Sequence, residues 1–240
     1  DYGDEKLWNY ELGVKTQGSG FTFNAAAFYN DISNLQVTLD AGSCSSRIVF
    51  NVPEAFAAGV EAELGFEPSP GLNFNISGSY VKSEFNSTLP GALATATGIR
   101  DGNRLPSVPE FQLSASGSYE WELNEGTTAF LNGSFQHVGS RYTQPADQEN
   151  NPRTFVHGLP FGGAPATAST TVDLLLPDYQ LVNLSAGVEL DSGLSLTAYV
   201  NNLFDENPLL SFDRERGGRA RLGYNIGQPR TFGLTARQTF

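Results

Sequence analysis

Phe111-Gln112-Leu113-Ser114-Ala115-Ser116-Gly117-Ser118-Tyr119-Glu120-Trp121-Glu122-Leu123 alternates without a break between two kinds of residue. Phe111, Leu113, Ala115, Gly117, Tyr119, Trp121 and Leu123 fall on one side, and Gln112, Ser114, Ser116, Ser118, Glu120 and Glu122 on the other. Successive side chains of a strand point to opposite faces, so this run is a strand with one apolar and one polar face. The same alternation returns at 8–14, 21–29, 60–66, 72–80, 129–135, 182–190, 194–200 and 232–240, where Gln238 interrupts the apolar side. Helical periodicity is scarce. The chain is predicted to be all-β, with about nine strands.

The connections sort by length. Those at 17–20, 67–71, 124–126 and 191–193 are tight and carry Gly, Asn, Asp or Pro, which accept turn geometry cheaply. Those at about 40–51, 85–109, 143–178 and 203–224 are long and irregular. Structureless loops of that length count against a compact soluble domain. A transmembrane barrel expects them, with short turns at one end and long loops at the other. Trp8, Tyr10, Phe21, Tyr29, Phe66, Tyr80, Phe111, Trp121, Tyr142, Tyr179 and Phe240 gather towards strand ends, as two interfacial girdles require. A soluble β-sandwich also alternates but does not sort its loops by side. The expected fold class is therefore an antiparallel transmembrane β-barrel segment. Backbone groups in lipid must all be paired, so such a sheet must close. The first and last of the nine strands run the same way and cannot pair antiparallel. Either a strand at 170–176 is hidden, or earlier strands precede Asp1. The chain holds no Met, which favours the second expectation.

Asp plus Glu number 26 against 14 Lys plus Arg, a net charge of −12 that repels nucleic acid. No run approaches the roughly 18 apolar residues of a membrane helix. The single Cys, Cys44, excludes an internal disulfide and sits in a long loop. Two His residues exclude a His-rich metal site. His137 and Ser140 are not at the alternation that a Ser–His pair on one wall needs, so no enzyme and no cofactor is expected.

Several stretches resemble the C-terminal part of the TonB-dependent outer-membrane receptors. They are Leu7-Trp8-Asn9-Tyr10-Glu11-Leu12-Gly13-Val14-Lys15, Ala26-Ala27-Phe28-Tyr29-Asn30-Asp31-Ile32 and Gly59-Val60-Glu61-Ala62-Glu63-Leu64. Val200-Asn201-Asn202-Leu203-Phe204-Asp205 is the most specific, and Pro229-Arg230-Thr231-Phe232-Gly233-Leu234 leads to Phe240. The resemblance spans nearly the whole chain in family order. It implies the last part of a roughly 22-stranded barrel in the bacterial outer membrane, with the N-terminal plug and the early strands outside residues 1–240. It also implies energised uptake of a scarce nutrient through the TonB complex, most often an iron–siderophore complex. Cobalamin, oligosaccharides and other metal chelates stay open, and a passive porin-like channel is the alternative.

The resemblance assigns candidate roles. Phe232, Gly233, Leu234, Ala236 and Phe240 fit the signal read by the barrel-assembly machinery, with Gln238 departing from it. Glu11, Glu61, Glu63, Glu120 and Glu122 are candidates to hold plug arginines by charge-assisted bonds; a merely solvated polar lumen wall is the alternative. Arg100, Arg104, Arg141, Arg153, Arg214, Arg216, Arg219 and Arg221 place basic charge in or near the long loops. With Tyr142 they are candidates to bind an anionic small-molecule chelate. Surface ion pairs with Asp205, Glu206, Asp213 and Glu215, or contacts with lipid phosphates, would account for the same charges. Phe155, Phe161 and Phe212 could line the ligand mouth.

Overall fold

The computed structural model describes residues 2–40, 47–91, 93, 97–145, 153–160, 162–172, 174–214 and 222–240. The strands among them are β1 (Lys6–Gly18), β2 (Phe21–Asp40), β3 (Arg47–Ser69), β4 (Leu72–Phe85), β5 (Phe111–Asn124), β6 (Thr127–Val138), β7 (Arg153–Val156), β8 (Ser169–Val172), β9 (Tyr179–Leu190), β10 (Leu194–Asn201), β11 (Leu209–Arg214), β12 (Leu222–Ile226) and β13 (Thr231–Gln238). Nine form one sheet in the order β1-β2-β3-β4-β5-β6-β9-β10-β13, with antiparallel neighbours throughout. These are the nine strands expected from alternation. β7 pairs with β8, and β11 with β12, as two small hairpins apart from the wall. The suspected strand at 170–176 is thus β8, which belongs to a loop hairpin and adds nothing to the wall.

The apolar face of the wall carries exposed large side chains in bands. Trp8, Tyr10, Tyr29, Tyr80 and Phe111 lie towards the loop end, and Phe21, Tyr119, Trp121 and Leu123 towards the turn end. Leu12, Val14, Val60, Ile76, Leu131 and Leu184 fill the band between them. Just beyond the loop-end girdle, Lys82 pairs with Glu84 at 3.1 Å. An exposed apolar band between two aromatic girdles is a lipid-facing surface, and it sets the polar face towards the lumen. Leu131, midway along β6, is 49% exposed on that band. Leu131→Arg is expected to destabilise the folded barrel by about 2–4 kcal/mol in lipid bilayers. Gln136→Arg, at an exposed lumen-face position of the same strand, should change stability by under about 0.5 kcal/mol. Denaturant titration in liposomes checks both.

Aromatic rings lie across strand glycines. Phe28 faces Gly59, Phe74 faces Gly117, Phe130 faces Gly187 and Tyr199 faces Gly233 in the ladders. A Cβ on Gly59 would stand 2.9 Å from the Phe28 ring, and one on Gly117 3.1 Å from Phe74. The missing side chain is what lets each ring lie flat on the sheet.

Within the connection expected over 40–51, residue 40 and residues 47–51 are strand, since β2 runs to Asp40 and β3 starts at Arg47. Ser33 pairs with Glu54 and Leu35 with Val52, but Asn34 and Pro53 between them do not pair. Pro53 has no donor for the ladder, and Asn34 sits in the left-handed region with φ 57°. Above this point the buried side switches alternation. Ile32 and Ala55 share one core with Val37 and Val52, and with Phe85, Leu89 and Ile99 from β4 and its following loop. That loop folds back along β4: Phe85 N–H donates to Asn103 O (2.8 Å) and Leu105 N–H to Ser83 O (3.0 Å).

The last strand ends at Gln238. Its amide donates to Ser192 O and Thr239 O, both at 2.8 Å, so the polar residue on the apolar face caps the β9–β10 turn.

Candidate functional site

The lumen wall is built of rows that the ladder register sets side by side. Lys15, Asn24, Glu63, Ser77, Ser114 and Gln136 form one row from β1 to β6. Gly13, Ala26, Glu61, Ser79 and Gln112 form the next. Glu11, Glu61 and Glu63 therefore line one recess of about 460 Å³ together with Lys15. Asn24 Nδ2 donates to Glu63 Oε2 at 3.5 Å. These carboxylates stand six to eight residues from the turn ends of their strands, roughly 20–26 Å of strand. Glu120 and Glu122 are elsewhere, at the turn end. Glu120 N–H donates to Gly71 O (2.9 Å), and Glu122 shares a row with Thr128, Glu189, Ser195 and Arg237. The five candidate carboxylates thus fall into two groups at different heights. Between the two heights, β6 and β9 present uncharged side chains: Asn132 donates to Ser185 Oγ (3.4 Å) and Asn183 to Ser134 Oγ (3.1 Å).

At the loop end, the segment Ser140 to Thr143 ties three loops together. Arg104 Nη2 donates to Ser140 O (2.7 Å) and Val108 O (3.5 Å), and its Nε lies 3.9 Å from Glu110 Oε1. Ser107 N–H donates to Tyr142 O at 2.6 Å. Arg141 and Leu176 exchange backbone bonds of 3.1 and 2.9 Å. Arg141 Nη2 also donates to Leu209 O and Leu210 O, both at 3.0 Å, while its guanidinium lies over the Tyr179 ring. Phe212 N–H donates to Thr143 Oγ1 (3.4 Å). Arg141 is 7% exposed and Tyr142 1%. The structure therefore brings Arg104, Arg141 and Tyr142 together, with both guanidinium groups bonded to loop carbonyls. Arg100 is exposed on the 85–110 loop, apart from them. Arg153 and Arg214 lie on β7 and β11, with side chains outside the described residues, as are Arg216, Arg219, Arg221, Cys44 and Phe161. Phe155 is described in backbone only, and Phe212 is buried against Tyr224. His137 lies beside Phe111 and accepts from Gln180 (3.0 Å); His157 bonds to Thr170 (2.9 Å) in the β7–β8 hairpin.

Residues 1–203 match the model of the TonB dependent receptor-like, beta-barrel family. The chain belongs to the TonB-dependent receptor β-barrel family. The pesticin receptor of Yersinia pestis is 27% identical over 98% of this chain, which covers 29% of that receptor. The ferrienterobactin receptor of Escherichia coli K12 is 25% identical over 86% of the chain and 24% of the receptor. The chain thus spans under a third of the curated relatives it matches. Among solved structures, the ferric yersiniabactin uptake receptor of Yersinia pestis superposes with a TM-score of 0.73 at 23% identity, over 98% of this chain and 30% of that one. The copper transporter OprC superposes at 0.64 with 15% identity. These likenesses show the fold, and the proteins that share it are receptors and transporters. The TonB-dependent receptor barrel is an outer-membrane one, so the loop end is extracellular and the turn end periplasmic.

In this TonB-dependent barrel, the most specific stretch closes a corner. Asn202 is 4% exposed and has φ 53°. Its Nδ2 donates to Glu206 O (2.7 Å) and Gln228 O (3.0 Å), its Oδ1 accepts from Glu206 N–H (2.9 Å), and its own N–H donates to Asn183 Oδ1 (2.9 Å). Asp205 Oδ1 accepts from Arg230 N–H (3.0 Å), and Oδ2 lies 3.9 Å from Arg230 Nη2. Two of the family-like stretches therefore bond to each other across the β10–β13 corner. The motif drew attention to Asn202 and Asp205 in sequence; their partners, 25 and 26 residues away, are fixed only by the fold.

Proposed function

We propose that this chain is the C-terminal part of an outer-membrane receptor for TonB-energised uptake of a scarce nutrient, most fittingly an iron–siderophore complex. The carrying observation is similarity to the pesticin and ferrienterobactin receptors, which runs along most of the chain, loops as well as wall. Further strands and a plug, outside residues 1–240, would close the barrel between β1 and β13. The recess of Glu11, Glu61 and Glu63 is the proposed plug contact at mid-wall, and Glu120 with Glu122 the contact near the periplasmic end. A carboxylate group facing a plug guanidinium gives bonds that energised pulling can break one by one. Extracellular loops would hold the chelate, with Arg100, Arg153, Arg214, Arg216, Arg219 and Arg221 as anion-binding candidates. Arg104, Arg141 and Tyr142 support this by bracing the loops. Phe232, Gly233, Leu234, Ala236 and Phe240 are proposed to carry the signal for the barrel-assembly machinery, and the apolar band to contact outer-membrane lipid.

The full-length gene, expressed in siderophore-receptor-deficient cells, tests the reading. Cells should accumulate radioactive iron supplied as ferric yersiniabactin or ferric enterobactin when TonB is present, and lose that uptake when it is deleted. Uptake that survives TonB deletion would make the barrel a passive channel. No uptake of either chelate would remove the proposed iron-chelate specificity.

A further inference from the structure

We infer that the extracellular end of the wall holds a preformed subsite for an uncharged ring; the inference rests on the receptor reading for its biological use. A pocket of about 480 Å³ lies between the upper half of β2, the end of β4, and the segments at 105–108 and 143–145. Its apolar lining is Leu35, Val37, Phe85, Leu105, Pro106 and Val108, and Thr38, Thr143 and Gln144 supply polar atoms. Among the described residues, no charged side chain lines it. The volume suits a small-molecule site.

Three observations define what it takes. First, the pocket lies on the solute's path. Phe85 continues the alternation of Ser77, Ser79 and Ser83, the lumen face of β4, so the pocket sits on the lumen side of the extracellular end. Second, the walls are held in place. Val37 and Phe85 belong to the buried core, Arg104 donates to Val108 O, and Ser107, at φ 62°, donates to Tyr142 O. A site braced in this way needs little ordering when it fills. Third, the guanidinium groups nearest in sequence, Arg104 and Arg141, are bonded to carbonyls of the loops they brace. A carboxylate or sulfonate entering this pocket would lose water and gain no ion partner from the lining. A phenol, an azole or a branched alkyl group would bury apolar surface, with hydroxyl and amide groups in reach. The subsite therefore selects for an uncharged ring-bearing part of the nutrient, distinct from the arginine capture of an anionic chelate.

The test uses the full-length receptor in nanodiscs, with fluorine NMR of 4-fluorophenol and 4-fluorobenzoate and empty nanodiscs as blank. The fluorophenol signal should broaden beyond the blank, and fluorobenzoate should bind at least about tenfold more weakly, because its charge must be desolvated. Leu105→Trp, which fills the pocket, should abolish the fluorophenol effect while heat-modifiable gel migration shows an intact barrel. Val108→Trp, at the half-buried edge of the same lining, is the second filling variant if Leu105→Trp does not assemble. Absence of receptor-dependent broadening, equal binding of the benzoate, or broadening that survives a folded filling variant would each overturn the subsite. Neither probe needs TonB or iron. Failure of iron uptake therefore leaves this result standing, and a receptor that transports iron without holding fluorophenol removes the subsite alone.

Discussion

Asn202→Ala is expected to destabilise the barrel by about 3–5 kcal/mol. The side chain is buried and satisfies an N–H and two carbonyls on two other segments. Glu206 and Gln228 are themselves exposed, so each of these bonds contributes about 0.5–1.5 kcal/mol. Alanine in the left-handed region adds about 1–2 kcal/mol. The two parts separate experimentally. Asn202→Gly relieves the backbone part and keeps the loss of hydrogen bonds, so its deficit should be smaller by about 1 kcal/mol. Urea titration of the full-length receptor in liposomes measures both. Equal stability of Asn202→Ala and the parent would mean that the corner is not held by this side chain.

Arg141→Ala is expected to release the β11–β12 hairpin from the rest of the loop cluster. Bonds from a charged donor to carbonyls contribute about 1.5–3 kcal/mol, and stacking on an aromatic ring about 0.5–1 more. Arg141 Nη1 is buried without a hydrogen-bond partner among the described residues, which returns part of that on removal. A net loss near 2 kcal/mol corresponds to amide exchange in β11 faster by about 30-fold. Exchange at β5 and β6 in the wall should not change. Arg100→Ala, at an exposed position, should leave the β11 amides as they were. Chelate affinity should fall in Arg141→Ala through loop disorder, so its deficit against the parent should be the same at low and high salt. A deficit that widens at low salt and shrinks at high salt would show that Arg141 contacts the anion directly.

The wall strands were legible because lipid on one face and water on the other impose a period of two, and Phe111 to Leu123 shows it without interruption. The upper halves of β2 and β3 carry the same signal in Val37 and Leu39, and in Ile48, Phe50 and Val52. There Pro53 breaks the run, and the switch of buried side at Asn34 defeats a reading that extends one alternation. The small hairpins were illegible for another reason: β7 and β8 have four residues each, too few for a period to show. At the site, residue type disclosed charge but not its use. Arg104 and Arg141 read as anion binders by type, and each also donates to backbone carbonyls, which every residue has. The split of the five carboxylates into two heights follows from strand register, which residue spacing within one strand does not contain.

The rings that lie across glycines also bear on how such a wall assembles. An antiparallel ladder of alternating residues tolerates a slip of two residues, because each side chain keeps its own face. In a slipped β2–β3 pair, Phe28 would meet Ala57 or Glu61 instead of Gly59. In a slipped β6–β9 pair, Phe130 would meet Ser185 or Glu189 instead of Gly187. In each case the ring would collide with a side chain where it now rests on bare backbone. The glycines thus act as keyholes spaced along the seams, and each admits its ring in one alignment only. A wall whose strands look alike is proofread, seam by seam, by the positions at which it has no side chain at all.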